Sequence, residues 1–475
     1  MRRRSAFALL AALALGGCAQ IPTLDKPVSM KPVDQYQTEQ SLAGPSAAWP
    51  KDAWWRAYGD VQLDALIDEG LRDSPNMAIA QARLRRAMAV TQVTDSASQP
   101  QLDASVSPTL QKQSYNYLFP RSSVPQGWND YGVASLNFNW EIDFWGKNKA
   151  ALAAATSLQE AGAADVAQAR LTLAASIASS YGDLARLYAL RDTALDAARV
   201  RAKTLELTRN RYKNGMDTMG SVRQAEARKA AAEADVLTLE EQISLQRNRI
   251  AALVGAGPDR GLRINRPTLN VARSFGLPQQ LKLELLGRRP DIVAARLRAE
   301  AGEKSVERQK TEFYPNVNLG AMVGLQSLGL NNLVKSGSSY GSVGPAISLP
   351  ILNGGRLEGQ LREVQAQQDE AIASYNQTVT QALQEVSDAA ISQKSLALQI
   401  GKLQQAVKAA DEGYRIVRTR YEGGLTNYID VLSAEEALIS SRRALSDTQS
   451  RSFTLDVALI KALGGGYQMP EKNSK

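Results

Sequence analysis

Few residues of this chain are equipped for chemistry. Among its 475 residues there is no His, and the one Cys is Cys18. Without His the commonest general base and the commonest metal ligand are gone, which excludes Ser-His-Asp and Cys-His machinery. A single thiol makes no internal disulfide and no multi-Cys zinc or iron–sulfur site. Carboxylate chemistry stays open in principle. Its nearest candidates, Glu141 and Asp143, sit in a strand-like stretch whose second copy carries Pro350 and Leu352 in their places. No carboxylate pair is set in a concave cluster of loops, and both acids are expected to face a lumen instead. No catalytic residue, metal or cofactor is therefore expected, which leaves the chemistry of one thiol.

The context of that thiol is informative. Arg2, Arg3 and Arg4 precede an apolar run over residues 6–15, too short to span a bilayer and suited to the core of a signal peptide. The run ends in Leu15-Gly16-Gly17-Cys18, which resembles the lipobox cut by the bacterial lipoprotein signal peptidase. Cleavage between Gly17 and Cys18 leaves Cys18 as the N-terminus, acylated on its sulfur and amine. The alternative is an ordinary Cys behind a cleaved signal. Ala19 follows, not the Asp that retains bacterial lipoproteins at the inner membrane, so the resemblance implies an outer-membrane anchor. The chain carries 56 Lys+Arg against 48 Asp+Glu, a net +8. Loss of the three signal arginines leaves 53 against 48, a net +5. The remaining cations are interspersed with acids along helix-like stretches, which is a solvated face and not a nucleic-acid footprint.

The elements around these residues come in two copies. Arg211-Tyr212-Lys213-Asn214-Gly215 reappears 209 positions later as Arg420-Tyr421-Glu422-Gly423-Gly424. The same offset matches Val222 to Val431, Ala225-Glu226 to Ala434-Glu435, Gly255 to Gly464 and Gly146-Lys147 to Gly355-Arg356. Upstream the offset is 215, pairing Pro75 with Pro290 and Pro100 with Pro315. The first copy thus holds about six extra residues between Pro100 and Gly146, and one domain-sized unit has been duplicated. The organisation is a signal peptide over residues 1–17, an anchored extended segment over 18–61 and a first copy over 62–256. A Pro-, Gly- and Arg-rich linker follows over 257–278, then a second copy over 279–465 and a tail over 466–475.

Each copy reads as helix, hairpin and two very long helices. Residues 126–257 and 351–469 contain no Pro and are rich in helix formers, with apolar positions such as Leu171, Ala174, Ala178, Tyr181, Leu184 and Tyr188 at helical spacing. A helix over residues 147–212 is about 100 Å long, and Ala-rich faces suit coiled-coil packing. Asn214-Gly215 and Gly423-Gly424 are C-cap signals, with Asp217 and Thr426 the expected N-caps of the helices that follow. Shorter helices are expected over residues 62–95 and 279–311. Between short and long helices the period becomes two. Residues 134–144 place Ala134, Leu136, Phe138, Trp140, Ile142 and Phe144 opposite Ser135, Asn137, Asn139, Glu141 and Asp143. Leu102, Ala104 and Val106 form a partner strand. Val317, Leu319, Ala321 and Val323, and then Val343, Ile347, Leu349 and Ile351, repeat the pattern in the second copy. One such strand suits a half-buried sheet of a soluble domain; four in a lipoprotein suit a barrel wall. Four strands cannot close a membrane barrel, whose smallest form has about eight, so the chain must oligomerise. Two copies give a filled eight-stranded barrel, and three give twelve strands with a lumen.

Several motifs carry a family resemblance. Trp54-Trp55-Arg56-Ala57-Tyr58-Gly59-Asp60, followed by Leu63 and Leu66-Ile67, resembles the opening of the TolC-type outer-membrane efflux proteins in their NodT lipoprotein branch. Trp140-Glu141-Ile142-Asp143-Phe144-Trp145-Gly146, Arg289-Pro290-Asp291-Ile292 and Phe313-Tyr314-Pro315 are similar to it too. So is Leu349-Pro350-Ile351-Leu352-Asn353-Gly354-Gly355-Arg356, and the likeness covers nearly the whole mature chain. The resemblance implies a mainly α chain with a membrane β-barrel, its four transmembrane strands and long coiled-coil helices joining in a homotrimer. It implies a twelve-stranded barrel on a periplasmic helical tunnel, working with a periplasmic adaptor and an inner-membrane resistance-nodulation-division (RND) transporter and embedded in outer-membrane lipid.

The resemblance also implies roles for residues. Family tips meet the adaptor and close the tunnel like an iris. This points to Asn214, Gly215, Met216, Asp217 and Thr218 in one tip and Gly423, Gly424, Leu425, Thr426 and Asn427 in the other, unless these turns only reverse the chain. The family gate has an apolar ring and then an acidic ring one turn on. Ile429 matches the first, but Ser433 occupies the acidic position and Glu436 stands where a basic residue is usual. Asp430 or Glu435 is left to supply the negative ring, with Ile429 and Asp430 at the constriction, although Asp430 also reads as a first-turn acid favourable to the helix dipole. The expected function is a passive efflux duct. Protein export with an ABC transporter uses the same fold. A lipid-anchored coiled-coil scaffold is the competing class, and it leaves the alternating strands unexplained.

Overall fold

The computed structural model describes residues 21–23, 28–117, 119–269, 276–278 and 281–469. Gly17, Cys18 and the signal segment lie outside them. The chain forms two compact units, one from residues 1–30, 84–162 and 295–375, the other from residues 31–83, 163–294 and 376–475. Both copies of the duplication contribute to both units.

Helices α1 (Val61–Asp73) and α2 (Pro75–Ser96) precede strands β1 (Gln101–Gln111) and β2 (Asn129–Glu141), then helices α3 (Lys147–Lys213), α4 (Met219–Leu253) and the short α5 (Pro258–Leu262). The second half runs α6 (Leu281–Arg288), α7 (Pro290–Thr311), β3 (Asn316–Leu328), β4 (Ser339–Ser348), α8 (Arg356–Glu422) and α9 (Tyr428–Ala462). Helices α3 and α8 have 67 residues each, and α4 and α9 have 35, so the 209-residue offset carries one helical hairpin onto the other. The extra residues of the first copy fall mainly in the β1–β2 connection, residues 112–128, against residues 329–338 between β3 and β4.

Four expectations about element ends are corrected. The helix expected over residues 62–95 is two helices, because Pro75 starts α2 and pushes Ser74 to an extended ψ of 131°. Pro290 divides the helix expected over residues 279–311 in the same way. Strand β2 begins at Asn129 and stops at Glu141, leaving Ile142 and Phe144 beyond it; the Asp143 carboxylate instead accepts the Lys149 N–H at 2.9 Å in the first turn of α3. Strand β4 stops at Ser348, so Leu349 and Ile351 continue the alternation off the sheet, where Pro350 has no N–H to give.

In the first unit the four strands form one antiparallel sheet in the order β1-β2-β3-β4. Beneath it Val306, Phe313, Leu357 and Leu361 cluster, and Gly302 brings α7 so close to α8 that a Cβ would lie 3.1 Å from Gln368 Cα.

The second unit is organised by the residues after position 53. Trp54, Trp55 and Tyr58 lie on a 3-10 turn and are buried with Leu63, Leu66, Ile67, Ile177, Tyr181 and Phe453. Tyr58 meets the edge of Phe453 at 4.6 Å and donates to Asp456. Asp60 caps α1 by accepting from Gln62 N and Leu63 N, and its second oxygen accepts from Tyr181 Oη and Thr268 N, each at 2.9 Å. One carboxylate thus joins α1, α3 and the segment after α5. Arg289, buried, grips Asp291 through two bonds and reaches Glu385 and the Ala462 carbonyl at the end of α9. Helices α4 and α9 close with the same Schellman motif: Ala256 N donates to Ala251 O and Gly465 N to Ile460 O, each at 2.9 Å, around left-handed Gly255 and Gly464.

These two glycines differ in their surroundings. A Cβ on Gly464 would stand 1.9 Å from Arg288 O, and on Gly255 2.8 Å from Asp73 O. Both replacements by Ala carry left-handed strain of order 1–3 kcal/mol and press on a backbone oxygen, and the collision at Gly464 is much the deeper. Gly464→Ala is therefore expected to lower the thermal unfolding midpoint more than Gly255→Ala; equal shifts would refute the packing described here.

Candidate functional site

Two features stand out, one in each unit. In the first unit the sheet has chemically opposite faces. Register pairs Leu102 with Phe138, Ala104 with Leu136 and Val106 with Ala134. It then pairs Ala134 with Leu325, Leu136 with Val323 and Phe138 with Ala321, and finally Ala321 with Val343 and Val317 with Ile347. All of these share one face, and that face is uncovered: Val106 is 72% exposed and Val343 79%. The other face carries Asp103, Ser105, Ser135, Asn137 and Asn139, with Ser105 and Ser135 hydrogen-bonded at 2.9 Å. Among the described residues, strands β1 and β4 each have a single bonded neighbour, so both edges of the sheet are open.

At the helix end of the sheet a cavity of 340 Å³ lies among residues that follow β2 and β4 and those that begin α3 and α8. Lys147 sits there between Glu141 at 3.2 Å and Glu312 at 3.5 Å, and Asn316 donates to Glu141 at 3.0 Å. Trp145 stacks on Tyr314 at 4.8 Å and donates to the Pro315 carbonyl. Glu141 and Asp143 are therefore held by a cation, an amide and a helix N–H. They form no acid–base pair. Among the described residues no group of three or more His, Cys, Asp or Glu could hold a metal ion, and no helix is long and apolar enough to cross a membrane.

In the second unit each long hairpin ends in a tight tip. Met216 N donates to Arg211 O and Leu425 N to Arg420 O, both at 2.8 Å, around Gly215 and Gly424 with φ of 73° and 77°. The N-caps lie one residue later than expected. Thr218 Oγ1 accepts from Ser221 N at 3.2 Å and Asn427 Oδ1 from Asp430 N at 3.1 Å, while Asp217 and Thr426 are engaged elsewhere. Tyr421 Oη donates to the Asp217 carboxylate, and Thr426 Oγ1 donates to Asp430. Arg211 lies 4.4 Å over the Tyr421 ring and donates to Tyr421 O at 2.6 Å and to Met216 O at 3.3 Å. One arginine thus closes the last turn of α8 and binds the two tips together. Burial alone would raise the Asp217 pKa, but hydrogen bonds from Tyr421, Ser221 and Thr218 and the Arg211 charge outweigh it and leave the carboxyl below its usual value. Burial and the bond to Asp217 push Tyr421 up to about 12.

The candidate gate residues fall on two sides of α9. Ile429, 66% exposed, shares an outward stripe with Asp430 and Ser433. Glu435 is only 2% exposed, so as a candidate for a negative ring it is corrected: it accepts from Thr204 Oγ1 at 2.7 Å and lies 3.5 Å from Arg201. Burial raises its pKa against the pull of Thr204 and Arg201. Glu436 bridges Arg201 and Arg228 at 3.1 and 3.2 Å. Arg211, Tyr421, Arg201 and Thr204 were not among the sequence candidates. The repeated Arg-Tyr pair at 211–212 and 420–421 held the only signal, and it read simply as the end of a helix.

Tyr421→Phe keeps the ring and removes the bond to Asp217. A bond to a charged group contributes about 1.5–3 kcal/mol, so amide exchange at Met216 and Thr218 is expected to quicken at least about tenfold. Because the Asp217 pKa is lowered on folding, its stabilisation is present above the ordinary carboxylate range and is lost as pH falls through the folded pKa. In Asp217→Asn that acid dependence should vanish. Unchanged exchange in both variants would remove this contact from any role in holding the tips.

The sequence profile of the outer membrane efflux protein family matches residues 66–256 and 282–465. The chain is 35% identical over 313 residues to the fusaric acid resistance protein FusA of Burkholderia cepacia, an alignment covering 65% of this chain and 58% of that protein's length. It is 28% identical over 421 residues to the multidrug resistance outer membrane protein MdtP of Escherichia coli strain K12, covering 87% of this chain and 86% of the relative. Its fold is similar to that of the outer membrane protein VceC of Vibrio cholerae, with a TM-score of 0.83 and 46% identity, covering 88% of this chain and all of the other. Exposed apolar strands, paired helical hairpins and this likeness along most of the sequence agree: the chain belongs to the outer membrane efflux protein family.

Proposed function

We propose that the chain is the outer-membrane channel of a tripartite efflux pump. In this reading it is a passive homotrimeric conduit that takes small molecules from a periplasmic adaptor and an inner-membrane RND transporter across the outer membrane. The observation that carries the reading is the two-faced sheet with open edges. Unpaired edge groups in hydrocarbon cost several kcal/mol each, so β4 of one copy pairs with β1 of the next until the ring closes. Three copies make twelve strands, enough for a lumen lined by the Asp, Ser and Asn face. Cys18 carries the lipid anchor. The tips at residues 214–218 and 423–427 dock the adaptor, with Met216 and Leu425 exposed for that contact. Ile429, Asp430 and Ser433 line the closed constriction, with Asp430 the acid of that stripe. The resistance proteins among the relatives support small molecules as the cargo.

Purified protein should run as a trimer in detergent and conduct in a planar bilayer; a monomer without conductance would end this reading. Ile429→Ala and Asp430→Ala should each raise basal single-channel conductance and antibiotic leak, because one removes apolar bulk and the other a charge from the constriction. The loss of an N-terminal acid costs α9 only about 0.3–1 kcal/mol, so the fold survives the second change. Unchanged conductance and leak in both variants would move the gate elsewhere.

A further inference from the structure

At the sheet end opposite the helices, the two connections carry charge of one sign. Between Asp103 and Asp130 the only charged residues are Lys112 and Arg121, and between Glu312 and Arg356 the only one is Lys335. Both connections, residues 112–128 and 329–338, lie at this end. Asp130, the acid beside them, accepts the Leu330 N–H at 2.6 Å. Lys335 donates to Asn332 at 2.8 Å.

Lys112 and Arg121 converge on one ring. The lysine nitrogen lies 5.8 Å and the guanidinium carbon 5.2 Å from the centroid of Tyr115. That ring is braced, since Tyr115 Oη accepts the Gly127 N–H at 2.8 Å and Gln126 Nε2 donates to Arg121 O at 2.6 Å. Two like charges gathered on one ring, in a loop without acids, make a receptor for an anion.

Register says which anion. The last bonded pair of β1 and β2 is Gln111 with Asn129. One pair further, Lys112 stands across from Trp128, in step with the apolar face of Leu102, Val106 and Leu110. Asp130, paired with Leu110 on that face, is occupied by the Leu330 N–H, and beyond it the face ends in a cation and an indole that is itself exposed. Tyr117 and Phe119 are exposed in the same loop. Aromatic and basic side chains at the rim of an apolar face match a membrane–water interface, where headgroups carry phosphate.

We infer that Lys112 and Arg121, set on Tyr115 beside Trp128, bind the phosphate of a lipid headgroup in the leaflet at this end of the barrel. This rests on the membrane-embedded reading above. Arg121 offers paired N–H donors to phosphate oxygens, and Lys112 adds a point charge.

The test uses the full chain and a Lys112→Ala/Arg121→Ala variant in phosphatidylcholine nanodiscs containing diphosphoryl lipid A or its dephosphorylated form. Lipid retention is read by native mass spectrometry and conductance in parallel bilayers. The wild type should hold the phosphorylated lipid about thirty-fold more tightly than the variant, as two interfacial cations imply. Lys112→Arg/Arg121→Lys should keep most of the binding. Equal retention by wild type and the Ala variant, or equal retention of the dephosphorylated lipid, overturns the proposal. So does displacement by millimolar inorganic phosphate, which would mark a site for soluble anions. A wild type that conducts but ignores lipid phosphate overturns this inference alone. One that does not conduct removes the membrane reading and this inference with it.

Discussion

A β-strand in hydrocarbon must pair every backbone N–H and C=O, and this chain supplies only half of what its outer strands need. Strands β1 and β4 each have one bonded neighbour and a free edge, while one face of the sheet is apolar and uncovered. In water such a sheet would aggregate; in lipid its edges would be unsatisfied. Closure with further copies removes both liabilities in one arrangement. The rest of the first unit holds the sheet ready for it. The Trp145–Tyr314 stack and the Lys147 bridges lock the strand ends to the helices, and glycine contacts draw α7 against α8.

In the second unit the duplication supplies one hairpin twice, and tertiary packing makes the two copies unequal. Arg211 is buried and closes the end of α8, while Arg420, its match 209 positions on, is exposed. Tyr421 is buried against Arg211; its match, Tyr212, is 40% exposed. This asymmetry gives the two tips different work. One supplies the arginine and carboxylate that tie the pair, and the other presents Ile429 and Asp430 outward.

Much of this is legible in the amino-acid sequence. Helix α3 ends within one residue of its expectation because Asn214-Gly215 is a strong stop signal after a long run of helix formers. The strand faces came out correctly because alternation survives wherever one face meets an apolar environment. Strand ends did not, since the apolar alternation at Leu349 and Ile351 continues after the hydrogen bonding has stopped. The breaks at Pro75 and Pro290 were hidden by flanking segments that both read as helix. Asp217 looked like an N-cap and would have served as one had Tyr421, 204 residues away, not engaged its carboxylate.

Glu226 and Glu435 show where local reading ends. Each follows an Ala at matching positions of the duplicated hairpin. Glu226 lies near the surface between Arg209 and Arg223 and titrates below its usual range, because hydrogen bonds from both arginines favour the carboxylate. Glu435 is enclosed beside Thr204 and Arg201, and burial raises its pKa. The sequence by itself determined what depends on neighbours a few residues apart: helix, strand alternation, caps, and the duplication itself. The tertiary structure alone decided which of two equivalent acids is buried, because burial is set by helices packed from hundreds of residues away.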